Sequence, residues 1–412
     1  MGPIVKKIAI LGFGTVGQGV YEGIKANEKK LEQLIGEPIE ICAVLVKDIT
    51  KDRTIEREVL VTNNIEEILK IPDLQIVFEA IVGTEPCFTY LKRFIEKGCH
   101  VITANKVMFA HHGIELVNLA QEKGVTVRYE ASVAGGVPII STLCSILKTN
   151  HILKLEGILN GTSNFILTEM RKHGCTFEEA LKLAKQLGYA EQDPTNDVDG
   201  YDAYYKLIIL YRCIFGREPN WKVIEREGIS TITQQYVELA QVFGLRFRHV
   251  AHISLDAKDC WVKPVLVDET HPFYSIDGVD NTIHIQGTLV GGLTFTGAGA
   301  GRYPTASAMI EDFVQIFQQK NHLFPHVLPF IDERKHESEI RNSDWAIFTD
   351  QETASMIKSE SPIIQERKNG KIVFLQLEGT HEWINQLKQK YSVHVYEILN
   401  VNKVANIKEN VS

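Results

Sequence analysis

Ile8-Ala9-Ile10-Leu11-Gly12-Phe13-Gly14-Thr15-Val16-Gly17 is a short apolar run that enters a G-x-G-x-x-G turn and leaves it in a helix-forming stretch. Each glycine has its own task. Gly12 permits the tight turn, Gly14 lets a pyrophosphate approach the backbone, and Gly17 lets helix and strand pack closely. The amino end of a helix carries partial positive charge and suits an anion. Working outward, residues 8–132 alternate short apolar segments with amphipathic ones. Strands are predicted at 8–12, 39–46, 75–82, 100–104 and 125–130, with helices between them, for example at 86–97 and 114–123. Strands buried on both faces and separated by helices give a mainly parallel, doubly wound α/β sheet of the Rossmann type.

After Ser132 the pattern changes to α+β. Pro138 can open a helix reaching Leu147, and a strand is predicted at 151–159. Thr176 and Glu179 form a capping box for a helix ending near Gly188, and an apolar helix follows at 201–215. A third helix is predicted at 234–243, with strands near 247–255, 261–267, 282–286 and 293–296. Residues 331–344 are polar and read as a linker. Beyond it, strands at 345–349, 362–366, 371–377 and 393–399 with helices at 351–358 and 382–390 give a ferredoxin-like order. Three domains are expected: a dinucleotide-binding domain at 1–135, a second at 136–330, and a small C-terminal module at 345–412.

The chain has 412 residues with 44 basic against 52 acidic side chains, a net charge of −8, which argues against a general nucleic-acid surface. Its seven cysteines, Cys42, Cys87, Cys99, Cys144, Cys175, Cys213 and Cys260, include no C-x-x-C pair and sit mostly in apolar runs, as free thiols in a reducing compartment do. No signal-peptide core or bilayer-length apolar stretch is present, so a cytoplasmic protein binding neither nucleic acid nor membrane is expected.

Four places carry chemistry. The second strand ends Val46-Lys47-Asp48. A basic residue there accommodates a 2′-phosphate and an acidic one bonds a ribose hydroxyl, so NADP is favoured over NAD, against the alternative that Lys47 is a solvated loop charge. Residues 188–206, GYAEQDPTNDVDGYDAYYK, crowd five carboxylates into a short span, but their spacing does not fit a calcium loop. Asp202 and Lys206, four apart on an otherwise apolar helix, share a face. A partly desolvated lysine paired in that way can exchange a proton, while an ordinary surface pair is the plainer reading. Glu191, in the loop before them, could hold a substrate ammonium. Lys106 follows the strand at 100–104, at the edge where ligands bind in open α/β sheets. Finally, Glu130-Ala131-Ser132-Val133-Ala134-Gly135-Gly136-Val137-Pro138 turns sharply after a strand; a carboxylate with free carbonyls can hold a hard cation, and an interdomain hinge is the alternative.

Taken together, GFGTVG, VGTEP, TANK, ASVAGGVPII, NGTSNFI, LGYAEQDPTNDVDGYDAYYK, EGI and GAGAGRYPTASA, in order from residue 12 to about 310, resemble the homoserine dehydrogenase family. The resemblance implies reversible NAD(P)H-dependent reduction of L-aspartate 4-semialdehyde to L-homoserine, a substrate and dimerisation domain at 136–330 with a return segment near 297–320 to the cofactor site, and a homodimer or homotetramer. It implies Lys206 and Lys106 as the catalytic lysines. Glu191 and Asp202 then bind substrate, and Asp197, Tyr189, Gly161 and Thr162 border its pocket. Cofactor contacts fall on Gly12, Phe13, Gly14, Thr15, Val16, Gly17, Lys47, Lys106, Gly188 and Gly301. A sodium-type site is implied at Glu130, Val133, Gly135 and Val137. Many members carry arginine where this chain has Lys47, a point charge that softens phosphate preference. Many also end in an ACT module with a Pro-Gly turn after its first strand. Here Phe348-Thr349-Asp350-Gln351-Glu352 stands at that place, so the module is expected to be ACT-like but degenerate, without amino-acid feedback. Two rival readings remain: another Rossmann oxidoreductase acting on a small amino acid or semialdehyde, and a cofactor sensor without turnover.

Overall fold

The computed structural model describes residues 5–254, 259–318 and 342–400. The first sheet contains β1 (Lys6–Leu11), β2 (Ile39–Leu45), β3 (Leu60–Thr62), β4 (Leu74–Glu79), β5 (His100–Thr103) and β6 (Val127–Arg128). They lie in the order β3-β2-β1-β4-β5-β6, all parallel, which is the doubly wound order with its reversal beside β1. Ile8, Ile10, Ile76, Val77, Phe78 and Ile102 are fully buried, as central strands covered on both faces require. The sequence reading places five of these strands within a few residues. It omits β3, three residues long and too short for a period to show.

The second sheet runs β7 (Ile152–Ile158), β8 (Glu225–Arg226), β9 (Arg246–Ser254), β10 (Cys260–Val267), β11 (Asp280–Gly287), β12 (Gly291–Ala298), β13 (Asn342–Thr349), β14 (Gln365–Asn369), β15 (Ile372–Thr380) and β16 (His394–Leu399). Its order is β12-β11-β7-β9-β10-β16-β13-β15-β14, with β8 beside β10. The last four strands and the helices Gln351–Glu360 and His381–Lys390 form the ferredoxin-like unit expected from the tail. They are not a separate sheet, however. β16 pairs in parallel with β10 through Leu266 with Ile398 and Val267 with Leu399. One face of the unit is covered by its own two helices around Ile347, Ile357 and Leu387; the other, with Phe348, Phe374 and Tyr396, packs on Tyr236 and Phe247. The expected linker at 331–344 lies outside the described residues up to 341, and its last three residues already belong to β13.

The chain forms two compact units, each assembled from separated stretches. One takes residues up to Asn150, Tyr205–Pro219, and the segment from Phe295 through the helix Arg302–Gln318; the other takes His151–Tyr204, Asn220–Thr294 and the C-terminal strands and helices. The boundaries expected at 135 and 330 thus differ from the division by packing. The helix expected from Pro138 to Leu147 is three residues, Ile139–Ser141, continued by a π-helical turn at Thr142–Ile146, with Pro138 as its N-cap. The helix Phe177–Gln186 has the reciprocal capping box read from Thr176 and Glu179. Among the described residues no helix is long and apolar enough to cross a membrane.

Candidate functional site

In the first unit the carboxyl ends of β1, β2, β4 and β5 meet at one edge. Gly12 has φ +91°, and a Cβ there would lie 2.7 Å from the Ala80 carbonyl oxygen; at Gly17 a Cβ would fall 2.0 Å from the Gly12 oxygen. Both glycines are therefore demanded by the turn itself. At Gly14 a Cβ would meet nothing within 4 Å, so the packing does not ask for glycine there. Gly14 is the N-cap of Thr15–Ala26 and provides no side-chain cap, and Gly14 and Thr15 are exposed. A helix amino end left without a side-chain cap, behind a residue with no Cβ, fits a dinucleotide pyrophosphate. Phe13 stacks edge-on against Tyr21 at 5.7 Å, and Val16 is half-buried.

The Gly12 N–H donates to Leu45 O at 3.0 Å, which ties this turn to the end of β2, two residues before Lys47. Lys47 is exposed. Asp48 Oδ1 accepts from the Thr50 N–H at 2.9 Å and from the Thr50 hydroxyl at 2.6 Å, and these bonds hold its carboxyl below the usual range. That oxygen serves its own turn, which leaves Lys47 as the outward-facing charge of the pair.

At the end of β5, Asn105 caps the helix Lys106–Lys123 by accepting from the Met108 N–H at 3.1 Å, and Lys106 is its first residue, half-buried. The expected Gly301 stands in the 297–301 glycine run. That run lies against Gly135 so tightly that a Cβ there would meet Gly299 at 2.6 Å, and the Gly136 N–H donates to Ala298 O at 3.0 Å. Gly301 leads into Arg302–Gln318, a helix absent from the sequence reading. Arg302 donates to Gln18 Oε1 at 2.8 Å, and a Cβ on Gly19 would come 2.7 Å from the Arg302 oxygen. The return segment thus packs on the helix behind the glycine turn.

The residues expected at the cation site lie in the turn after β6. Glu130 is 4% exposed, and its Oε1 accepts from the Ile140 N–H at 2.8 Å, while Oε2 accepts from the Ser141 N–H at 2.7 Å and from the Ser141 hydroxyl. The Val137 carbonyl already accepts from the Ile139 N–H at 2.9 Å. This carboxylate receives the amides of the short helix after the turn. Val133 and Gly135 remain as backbone positions in the same turn, where Ala134 and Gly135 are both left-handed. No cluster of three histidine, cysteine or carboxylate side chains suited to a metal occurs among the described residues.

In the second unit one residue gathers the acidic loop. Asn160, 4% exposed, is the N-cap of Gly161–His173: its Oδ1 accepts from the Ser163 N–H at 2.7 Å. Its amide nitrogen donates to Asp197 Oδ1 at 2.7 Å and to Asp202 Oδ2 at 3.0 Å. One amide therefore holds two carboxylates side by side. Thr162 donates to the Tyr189 carbonyl at 2.6 Å, which ties Gly161 and Thr162 to the start of the loop, and Tyr189 stacks edge-on with Phe165. Gly188, Tyr189 and Glu191 are exposed. Of the other loop residues, Asp193 accepts from the Thr195 N–H and hydroxyl through its carboxylate, and the backbone carbonyl of Asp199 accepts from Arg226. In the sequence Asn160 stands out only as part of the NGTSNFI motif; its partners are 37 and 42 residues away, beyond the reach of local spacing. Along Tyr201–Phe215, Asp202 is 4% and Lys206 7% exposed, so neither side chain lies on the surface.

A doubly wound sheet with this turn, a lysine opening the helix after β5, and a second lysine and an aspartate buried one helical turn apart define a dinucleotide-dependent oxidoreductase. Family models described as homoserine dehydrogenase, NAD binding domain, and homoserine dehydrogenase match residues 12–130 and 138–314. The chain is 42% identical to the homoserine dehydrogenase of Lactococcus lactis over 76% of this chain and 74% of that one, and 34% identical to that of Helicobacter pylori over 94% and 91%. A homoserine dehydrogenase structure from Thiobacillus denitrificans superposes with a TM-score of 0.86 at 31% identity, covering 96% of this chain and 99% of that one. The chain belongs to the homoserine dehydrogenase family.

Proposed function

We propose that this protein interconverts L-aspartate 4-semialdehyde and L-homoserine, with NADP(H) favoured over NAD(H). The observation that carries this reading is Lys206, an ammonium only 7% exposed on the same helix as Asp202. Burying an ammonium is costly and is tolerated where charge has a use. The bound nicotinamide supplies or accepts the hydride. As hydride reaches the aldehyde carbon, the carbonyl oxygen gains negative charge. The Lys206 ammonium stabilises that oxygen and gives it a proton, and in the oxidation direction the neutral amine takes the proton back. Asp202 orients Lys206, and the Asn160 amide holds Asp202 in place. Glu191 and Asp197 offer carboxylates for the substrate ammonium, and Tyr189, Gly161 and Thr162 shape the pocket around them.

Lys106 brings a second positive charge beside the cofactor. A cation at a helix amino end works against the helix dipole, at a cost of about 0.3–1 kcal/mol. That placement favours a functional use of its charge over a structural one. Gly12 to Gly17 and Gly301 hold the dinucleotide in the first unit, and Gly188 is the cofactor contact this reading gives to the second. Lys47 reads its 2′-phosphate, a reading supported by the internal engagement of Asp48. Homoserine oxidation followed by absorbance with NAD and NADP in parallel tests the whole: faster turnover at low NADP is expected, and no turnover with either cofactor refutes the activity.

A further inference from the structure

We propose that Glu79, a residue outside every motif above, is a positioning residue that sets the place of Lys106 in the reaction; this rests on the reading of Lys106 as a catalytic group. Glu79 ends β4 and is 0% exposed, after a strand whose Ile76, Val77 and Phe78 are all fully buried. An apolar residue would serve the core better at such a position, since burying a carboxyl group is costly. Burial pushes its carboxyl up to about 7. The groups it touches are amide, hydroxyl and thiol, none of them a cation.

Those contacts close a ring. Glu79 Oε1 accepts from the Ile81 N–H at 2.7 Å and Oε2 from the Thr103 hydroxyl at 2.5 Å. The Thr103 oxygen accepts from the Asn105 N–H at 2.9 Å. The Asn105 side-chain amide donates back to Ile81 O at 3.1 Å and to Gly83 O at 2.7 Å, and its oxygen caps Met108. Lys106 follows Asn105 directly and opens the helix. The ring therefore ties the loop after β4, including Val82 at 96% exposure, to the first turn that presents Lys106. The same loop touches the dinucleotide turn, where the Ala80 carbonyl limits Gly12. A shift of the Glu79 carboxyl moves the helix turn that presents Lys106. Backbone placement errors of about 1 Å are enough to cost up to ~100-fold in rate.

The experiment uses the full chain, with Glu79→Gln, Thr103→Val, Thr103→Ser, Lys106→Ala and the double variant Glu79→Gln/Lys106→Ala. Glu79→Gln and Thr103→Val should each lower kcat by about 10–100-fold, with KM for NADP nearly unchanged. Thr103→Ser, which keeps the hydroxyl, should restore kcat to near the wild-type value. In the Lys106→Ala background, Glu79→Gln should have little further effect, because residues acting as one unit do not add. If Glu79→Gln does not fold, the Thr103 pair decides alone. Wild-type kcat in Glu79→Gln or Thr103→Val, or the same loss with and without Lys106, overturns the positioning role and leaves Lys106 standing. Wild-type kcat in Lys106→Ala overturns the reading of Lys106, and the proposal with it.

Discussion

At the scale of single residues, the proposed chemistry rests on charges held where water is scarce. Lys206→Ala is expected to lower kcat by roughly 10²–10⁴-fold, the worth of a general acid, with cofactor affinity little changed; wild-type turnover would refute the assignment. Lys47→Ala should raise KM for NADP(H) and leave KM for NAD(H) almost alone, measured in paired steady-state assays. Equal effects on both would make Lys47 a solvated charge. The glycine turn and the i,i+4 placement of Asp202 and Lys206 were legible in local spacing. Asn160 and Glu79 were not. Each has an ordinary local appearance, a helix cap and a carboxylate in an apolar run. Their importance lies in partners that only folding brings near: Asp197 and Asp202 for one, Thr103 for the other.

Among the elements, Arg302–Gln318 matters most and was hidden most completely. Its apolar stripe interrupts at small residues, Ala306, Ser307 and Ala308, so no strong helical period shows in the sequence, yet Ala306, Met309 and Phe313 are buried in the first core. It also brings a buried acid beside another. Asp312 Oδ2 accepts from the Glu130 N–H at 2.8 Å, and burial, then the Glu130 charge, pushes its carboxyl up to about 8. Arg128 pulls the other way, and Glu130 itself is raised by burial. In the unfolded chain Asp312 titrates near 3.8. Between these values the folded state holds a proton that the unfolded state releases, so stability falls as pH rises through that window and levels off above it. Asp312→Asn keeps an acceptor for the Glu130 N–H and removes the titration. Its Tm relative to the parent should climb from pH 5 to pH 8, by at least about 1–2 °C, which is roughly 1 kcal/mol or more for a chain of this length. A difference that stays flat with pH would show that Asp312 is ionised or neutral throughout.

For the whole molecule, the tail is built into the second sheet and is not an appendage. The strand order of the ferredoxin-like unit was legible from alternating segments; its docking on β10 was not, because an edge-to-edge pairing leaves no signature in either strand. Asp350 caps Gln351–Glu360 by accepting from the Glu352 and Thr353 N–H groups, each at 2.9 Å. The amino end where an amino-acid carboxylate could dock is thus filled by the chain itself. Threonine, methionine, isoleucine or lysine at millimolar levels should leave the rate unchanged; inhibition by any one would refute this. Truncation after Arg341 should expose Tyr236, Phe247 and the edge of β10, lower Tm, and change the mass seen by light scattering. An intact, equally stable oligomer would show that the tail supports neither the core nor assembly.

The way each compact unit draws on separated stretches has a consequence for synthesis. The nucleotide turn emerges from the ribosome first, but the helix that backs it, Arg302–Gln318, comes nearly three hundred residues later. A nascent chain halted at Asn150 holds all six strands of the first sheet and lacks part of the layer that covers them. No single cleavage releases either unit whole, so neither unit is one continuous stretch of chain. Its halves must be translated together before either can finish folding.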